Sequence, residues 1–184
     1  MRLRSLRATR HQTSSQVNWG LLLIHVDEIS SDHWERLRAI RLASLTHNPE
    51  AFGALAADES VLTQDVWRER ITKEDYIVAS LDGVDVGILS IEVLDGDFDA
   101  TCWIGGCWVD PFARGRGVFR AMFDYIDVHA ESRRWNVQGL GVWQDNFTAI
   151  AAYDQLGFVA MGEPKPSTRQ PGKFYQRMIR RTAN

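Results

Sequence analysis

The hydrophobic pattern of the chain changes its period near residue 75, and no other feature constrains the fold as strongly. Leu21–Val26 is an apolar run typical of a strand, and two stretches with helical spacing follow, one to about Leu45 and one over roughly Ala54–Ile71. Tyr76–Leu81 is again strand-like, and Val86–Val93 alternates apolar and polar residues. The first half therefore predicts one strand, then helices, then an antiparallel run of strands.

Strands and helices alternate in the second half of the chain. Ala100–Val109 and Val137–Val142 are typical of strands, and a long helix with one apolar face lies between them. Phe147–Leu156 predicts a short helix, and two strands follow it, the last over Phe174–Arg180. An antiparallel meander followed by β-α-β-α-β predicts an α/β fold with a mixed sheet flanked by helices.

Short signals mark the ends of the first helix. Asp32 is a plausible N-cap, and Glu35 stands three residues later, as in a capping box. The sequence Asn48-Pro49 is expected to end the same helix.

Two glycines and two cysteines fall in the strand predicted over residues 100–109. The pair Gly105-Gly106 indicates a bulge or a close approach by another group. Cys102 and Cys107 are five residues apart, so a regular strand would direct them to opposite faces, beyond disulfide reach. We expect reduced thiols, which are the default in a cytoplasmic protein.

Charge is distributed unevenly along the 184 residues. The net charge of −3 gives no reason to expect nucleic acid as a partner, and no apolar run reaches the roughly 18 residues of a membrane span. Residues 1–18 are basic, because they contain Arg2, Arg4, Arg7 and Arg10. We expect a flexible tail or an extended reading frame there, with a transit peptide as an alternative, and a single domain over residues 19–184.

A basic glycine loop joins the strand ending at Val109 to the long helix. It contains Arg114, Gly115, Arg116 and Gly117. Unpaired N–H groups at a helix N-terminus bind phosphate, glycine allows a close approach, and arginine adds charge-assisted hydrogen bonds. The spacing matches neither a Walker loop nor a Rossmann fingerprint. The alternative is a solvated turn whose arginines face water.

A second pattern lies downstream of the loop. Asn146 precedes the short helix and Tyr153 stands two turns along it, followed by Gly157-Phe158. Alone, this pattern indicates a capped helix with a buried tyrosine.

Together, in this order and spacing, the two patterns resemble the GNAT superfamily of N-acetyltransferases. The loop Arg114–Phe119 is similar to the family's acyl-CoA motif Q/R-x-x-G-x-G/A, except at its last position. The stretch Asn146–Phe158 is similar to its second motif, and the likeness covers about residues 21–181. The resemblance implies a mixed, mostly antiparallel sheet of six to seven strands, splayed at the acyl-CoA site.

The resemblance also implies a cosubstrate and the residues that bind it. Acetyl-CoA is the expected acetyl donor, and no metal is expected. The cofactor-binding residues would be Cys107, Trp108, Val109, Arg114, Gly115, Arg116, Gly117, Val118, Phe119, Asn146 and Tyr153. Two departures stand out: Phe119 replaces a glycine or alanine, and the strand segment from Trp103 to Cys107 lacks the glutamate that serves many members as general base.

The implied reaction is direct attack of an amine on the thioester in a ternary complex. Tyr153 would protonate the leaving thiolate, and backbone N–H groups around Cys107–Val109 would bind the oxyanion. Glu92 is the candidate base, beside a turn carrying Asp95, Asp97 and Asp99 that would attract a cationic amine or would simply be solvated. Cys107 is either an acyl carrier or, more simply, a packed strand residue.

The sequence does not identify the acceptor. A small-molecule or peptide amine fits the pattern, and a homodimer is possible within such a family. A different class is a non-catalytic acyl-CoA-binding or regulatory module, suggested by Phe119 and the absent strand glutamate. A third is nucleic-acid binding through the basic tail, which would be steeply salt-dependent.

Overall fold

The computed structural model describes residues 23–182, which fold around one seven-stranded sheet. The predicted basic tail and residues 21–22 of the first predicted strand lie outside the described residues. The strands are β1 (Ile24–Glu28), β2 (Asp75–Leu81), β3 (Val84–Val93), β4 (Cys102–Val109), β5 (Val137–Trp143), β6 (Val159–Pro166) and β7 (Phe174–Arg181). The helices are α1 (Trp34–His47), α2 (Ala56–Ser60), α3 (Gln64–Lys73), α4 (Val118–Arg133) and α5 (Phe147–Gln155).

The sheet is mixed and mostly antiparallel, as predicted. Its strand order is β1-β2-β3-β4-β5-β7-β6, and β4–β5 is the parallel pair. That pair is short: it runs from Cys102 opposite Gln138 to Ile104 opposite Leu140, although both strands continue beyond these residues. The sheet therefore splays between β4 and β5, and within residues 23–182 the facing edges of both strands have no strand partner there.

Helices cover both faces of the sheet, and the strand alternation explains why. On β3, Leu89 and Ile91 pack into a core shared with Phe123 of α4, whereas Ile88 packs into a second core on the opposite face. Trp67 of α3 is fully buried in that second core. Burying apolar area on both faces is the main favourable contribution to folding.

The capping box predicted for α1 is wrong. Asp32 lies inside a short 3-10 turn over Ser31–His33, so α1 begins at Trp34 and His33 is the residue before it. His33 makes no capping side-chain bond to the helix, and its Nδ1 is instead 2.9 Å from the Ser30 hydroxyl. The predicted end is confirmed, because the Asn48 N–H donates to Ser44 and closes the last turn.

The two cysteines do not lie on opposite faces, so that prediction is wrong as well. Both Cys102 and Cys107 pack against the core beneath α4, and both are free thiols. The reason is a bulge that the glycine pair itself predicts: Ser90 is opposite Gly105 and Ile88 is opposite Trp108, so β4 has one residue more than β3. Because of this extra residue, Cys102 and Cys107 face the same side of β4 although they are five residues apart.

No helix within residues 23–182 is long and apolar enough to cross a membrane.

Candidate functional site

The opening between β4 and β5 leads into a cleft of about 560 Å³, which we call the gap cleft. Gly105, Gly106 and Cys107 line it from β4, and Gly141 and Trp143 line it from β5. Because strand pairing ends before these residues, N–H and C=O groups on the facing edges are available to a ligand. An extended ligand can therefore bind there as a further strand would.

The glycine loop lies between the end of β4 and the start of α4. Gly115 and Gly117 have φ of 71° and 85°, a left-handed conformation that costs glycine little. In the described part of the chain, the N–H groups of Val118, Phe119 and Arg120 have no hydrogen-bond acceptor, so the first turn of α4 is free to bind an anion.

The two loop arginines differ in what they contact. Arg114 donates from Nε to the Val109 carbonyl at 2.9 Å and from an Nη to Asn48 Oδ1 at 2.7 Å. Trp108 donates its indole N–H to the same Asn48 oxygen at 3.0 Å, so its ring lies on the α1 side of the sheet. Arg116 is exposed and forms no ion pair within residues 23–182. Arg116 is therefore the arginine that can reach a phosphate, while Arg114 fixes the loop to α1.

Phe119 turns away from the loop instead of obstructing it. Its ring lies 5.1 Å from that of Phe123 and 5.6 Å from that of Tyr153, at tilted angles typical of packed aromatic pairs. The residue that departs from the family pattern thus supports Tyr153 from the side.

Tyr153 and Asn146 lie on the α5 wall of the gap cleft. The Asn146 side-chain oxygen accepts the Ala149 N–H at 3.1 Å, which caps α5, and the Asn146 amide nitrogen has no hydrogen-bond acceptor within residues 23–182. Tyr153 is 7% exposed and packs on Phe158, with ring centres 5.6 Å apart. The cap that the sequence predicts therefore fixes the helix on which Tyr153 stands.

The Tyr153 hydroxyl lies beside the Cys107 thiol. Burial, and then the charge and hydrogen bonding of Cys107, raise the pKa of Tyr153 well above its ordinary value. Burial likewise raises the pKa of Cys107 to about 11. At neutral pH both groups keep their protons, so Tyr153 can donate one, whereas Cys107 lacks the thiolate that an acyl carrier needs.

A second opening, the side cleft, has a volume of about 450 Å³ and joins the gap cleft at the bulge. Glu92 is exposed at its wall and has no ion pair in the described chain. Two hydroxyl residues of adjacent strands, Tyr76 and Ser90, stand opposite each other and line the cleft next to Gly105. The cleft therefore reaches the bulge from the α1 side of the sheet.

The acidic turn beside Glu92 is not a free anionic patch. Arg134 pairs with Asp95 at 3.0 Å, and Arg181 pairs with Asp99 at 3.4 Å. Lys165 and Arg177 both bind Asp97 and hold the pKa of that carboxyl below its ordinary value. Basic residues of β6 and β7, together with Arg134, pair with the acids of this turn, so in the described part of the chain Glu92 is the one of these acids without an ion pair.

Sequence reasoning missed a buried ion cluster at the side cleft. Glu59 is 6% exposed and binds Arg41 at 3.1 Å and Arg70 at 2.9 Å. Burial would raise the pKa of Glu59, but the two guanidinium groups outweigh burial and hold the pKa below its ordinary value. The available signal was Arg41 itself, a charged residue that stands four positions from both Leu37 and Leu45 and so shares the buried face of α1.

Within residues 23–182, His, Cys, Asp and Glu side chains form no group of three or more that could hold a metal ion. The charged residues that line the gap cleft are Arg41 and Arg169, so the cleft suits a ligand with an anionic group.

Comparison with known proteins gives one family and one fold. The model of the acetyltransferase (GNAT) family matches residues 34–158. No curated protein is significantly similar to the chain.

Solved structures of acetyltransferases share the fold. The Salmonella typhimurium protein yncA, described as an acetyltransferase with its cofactor acetyl-CoA, is 16% identical, with a TM-score of 0.65 over 88% of this chain and 95% of that chain. A GNAT-family acetyltransferase from Streptococcus pneumoniae is 15% identical, with a TM-score of 0.70 over 88% of this chain and 100% of that chain. A ribosomal-protein-alanine N-acetyltransferase from Brucella melitensis is 20% identical, with a TM-score of 0.64 over 85% of this chain and 99% of that chain.

Proposed function

The chain belongs to the GNAT family of acetyltransferases, and from this premise we propose that it transfers the acetyl group of acetyl-CoA to a primary amine by direct attack in a ternary complex. The observation that carries the proposal is the arrangement around the gap cleft. Unpaired edges of β4 and β5 and a protonated tyrosine line the cleft, and the same β4 leads through the glycine loop into a helix N-terminus that is able to bind an anion.

The cofactor would bind along the splay between β4 and β5. The free N–H groups at the start of α4, together with Arg116, would bind the pyrophosphate. The thioester would lie beside Gly106 and Cys107, where the unpaired edge of β4 offers N–H groups to the carbonyl oxygen. Asn146 would contact the cofactor from α5 through its free amide nitrogen.

The amine would reach the thioester from the side cleft. A new N–C bond forms as the neutral amine attacks the acetyl carbon, and the C–S bond breaks as the tetrahedral intermediate collapses. The amine proton passes to Glu92 through water, and the Tyr153 proton passes to the leaving sulfur, which departs as the free thiol of CoA. Tyr153 then regains a proton from solvent through the open cleft.

An assay of thiol release tests this function. The protein is incubated with acetyl-CoA and a panel of primary amines that includes amino acids, their carboxamides, polyamines and short peptides. We expect amine-dependent release of CoA and an equal amount of N-acetylated product. Tight acetyl-CoA binding with no amine-dependent release across the panel would contradict the proposal and favour a non-catalytic binding module.

The variant Arg116→Glu tests the pyrophosphate site. Reversing this exposed charge should raise KM for acetyl-CoA about tenfold, because it removes a charge-assisted contact to a phosphate and adds repulsion. Steady-state kinetics at varied acetyl-CoA measure the effect. The matched control is Arg68→Glu, which makes the same charge change on the exposed face of α3. Equal KM values in the two variants would exclude Arg116 as a phosphate contact.

A further inference from the structure

Positively and negatively charged residues are distributed differently between the two clefts and the point where the clefts meet. Gly105 and Gly106 line both clefts and mark this point, which we call the junction. Two arginines, Arg41 and Arg169, also line both clefts, whereas the three glutamates of the site, Glu59, Glu74 and Glu92, line the side cleft alone. The charged side chains that line both clefts are therefore positive, and the negative ones line the side cleft alone.

Arg41 is held rigidly with one amino group toward the junction. Its Nε and Nη2 donate to the two carboxylate oxygens of Glu59 at 3.2 and 3.1 Å, and its guanidinium lies over the Phe52 ring at 5.1 Å. The remaining Nη1 lies 3.4 Å from the position that a Cβ on Gly106 would take. Within residues 23–182 this Nη1 has no hydrogen-bond acceptor, so its N–H groups are available to a ligand at the junction, next to the proposed position of the thioester.

Glu59 does not cancel this charge at the junction. It is buried and shared between Arg41 and Arg70, so the cluster of three side chains keeps one net positive charge. Arg169 adds a second positive charge from the loop between β6 and β7, and it forms no ion pair in the described chain. An anionic group placed at the junction would meet both.

We propose that the acceptor is a free amino acid or a similar small molecule, in which a carboxylate lies within a few atoms of the amine. This inference rests on the proposed acetyltransferase function and names its substrate class. The carboxylate accepts hydrogen bonds from Arg41 Nη1 and pairs with Arg169, which places the neighbouring amine at the thioester. Glu92, on the side-cleft wall, is left to draw the amine proton.

The same arrangement disfavours two other classes of amine. A polyamine or an aminoglycoside would bring additional positive charges against Arg41 and Arg169, at a cost in binding free energy. The N-terminus of a peptide has an amide where a free amino acid has its carboxylate, so it leaves the Arg41 donors without a charged partner.

Matched pairs of acceptors test the inference. Each common amino acid is compared with its α-carboxamide as acceptor for acetyl-CoA, and kcat/KM is measured by thiol release. For the best acceptor we expect the free acid to exceed the carboxamide at least about tenfold, as for a charge-assisted hydrogen bond. Arg41→Gln should lower this ratio about tenfold by slowing the acid and not the amide.

Two further variants separate recognition from folding. Arg70→Gln removes the other partner of Glu59 with the same change of charge, but it leaves the Arg41 donors in place and Arg70 lines the side cleft alone, so the acid-to-amide ratio should fall clearly less than it does in Arg41→Gln. Arg169→Gln, on an exposed loop, should lower the ratio about threefold without affecting folding.

The possible results separate the two proposals. Turnover of carboxamides or polyamines that equals or exceeds that of the acids overturns the substrate class and leaves the acetyltransferase function intact. An unchanged ratio in Arg41→Gln, or an equal loss in Arg70→Gln, overturns the role of Arg41. Absence of turnover with every class of amine overturns both proposals.

Discussion

Replacing Tyr153 with phenylalanine is expected to lower kcat about 100-fold and to change the affinity for acetyl-CoA by less than about twofold. The reason is the position of the hydroxyl, which is buried at the inner wall of the gap cleft beside Cys107 and retains its proton. The ring would remain packed on Phe119 and Phe158, so the fold is preserved. Steady-state kinetics give kcat, and calorimetric titration gives the affinity.

The matched control is Tyr125→Phe. Tyr125 stacks on His129 along α4 and does not line either cleft, so the same chemical change should leave kcat unchanged. The pH profile adds a second readout: because the pKa of Tyr153 is raised, wild-type kcat should show no decline from tyrosine ionisation up to about pH 10. A Tyr153→Phe variant with normal kcat, or with lost acetyl-CoA binding, would contradict the role of proton donor.

Replacing Glu59 with glutamine is expected to destabilise the protein by about 3 kcal/mol at pH 7, because it leaves two arginines beside a buried amide that cannot neutralise them. Urea unfolding measures the change in the free energy of unfolding. Glu69→Gln is the control. Glu69 pairs with Lys73 on the exposed face of α3, so the midpoint of urea unfolding of this variant should match that of the wild type. Similar midpoints for the two variants would show that the cluster does not stabilise the fold.

The same carboxylate gives a pH dependence with a definite sign. The folded pKa of Glu59 is below its ordinary value of 4.5, so the folded state favours the ionised form. The stability that the Glu59 carboxylate contributes is complete above the ordinary pKa of 4.5, and it is lost as the pH falls through the lower pKa of the folded state. The difference in stability between wild type and Glu59→Gln should therefore narrow below about pH 4.5.

Local patterns in the sequence predicted the elements and the cofactor side of the site. The loop with Gly115 and Gly117 predicted the helix N-terminus, and the alternation in β3 predicted which residues face each core. These features depend on residues close together in the chain. The glycine pair likewise predicted a bulge, but its effect on the face of Cys107 follows from the register with β3, which the sequence does not reveal.

Features that depend on distant partners could not be predicted. The sequence places Asp97 in an acidic turn that would attract an amine or be solvated, yet Lys165 and Arg177 on strands β6 and β7 bind it. Glu59 lies in a five-residue helix with no distinctive pattern, and its importance follows from two arginines on two other helices. The acceptor side of the site is built from such pairings, so the sequence alone left the acceptor open.

A single-turnover experiment tests the central claim of direct acetyl transfer most directly. Enzyme in excess over acetyl-CoA is mixed with the best amine acceptor, quenched at successive times and analysed by mass spectrometry of both the intact protein and the amine. We expect acetyl-CoA to disappear at the rate at which the N-acetylated amine forms, with no acetylated protein at any time. Acetyl groups that accumulate on the protein before they reach the amine, with loss of that species in Cys107→Ala, would contradict direct transfer.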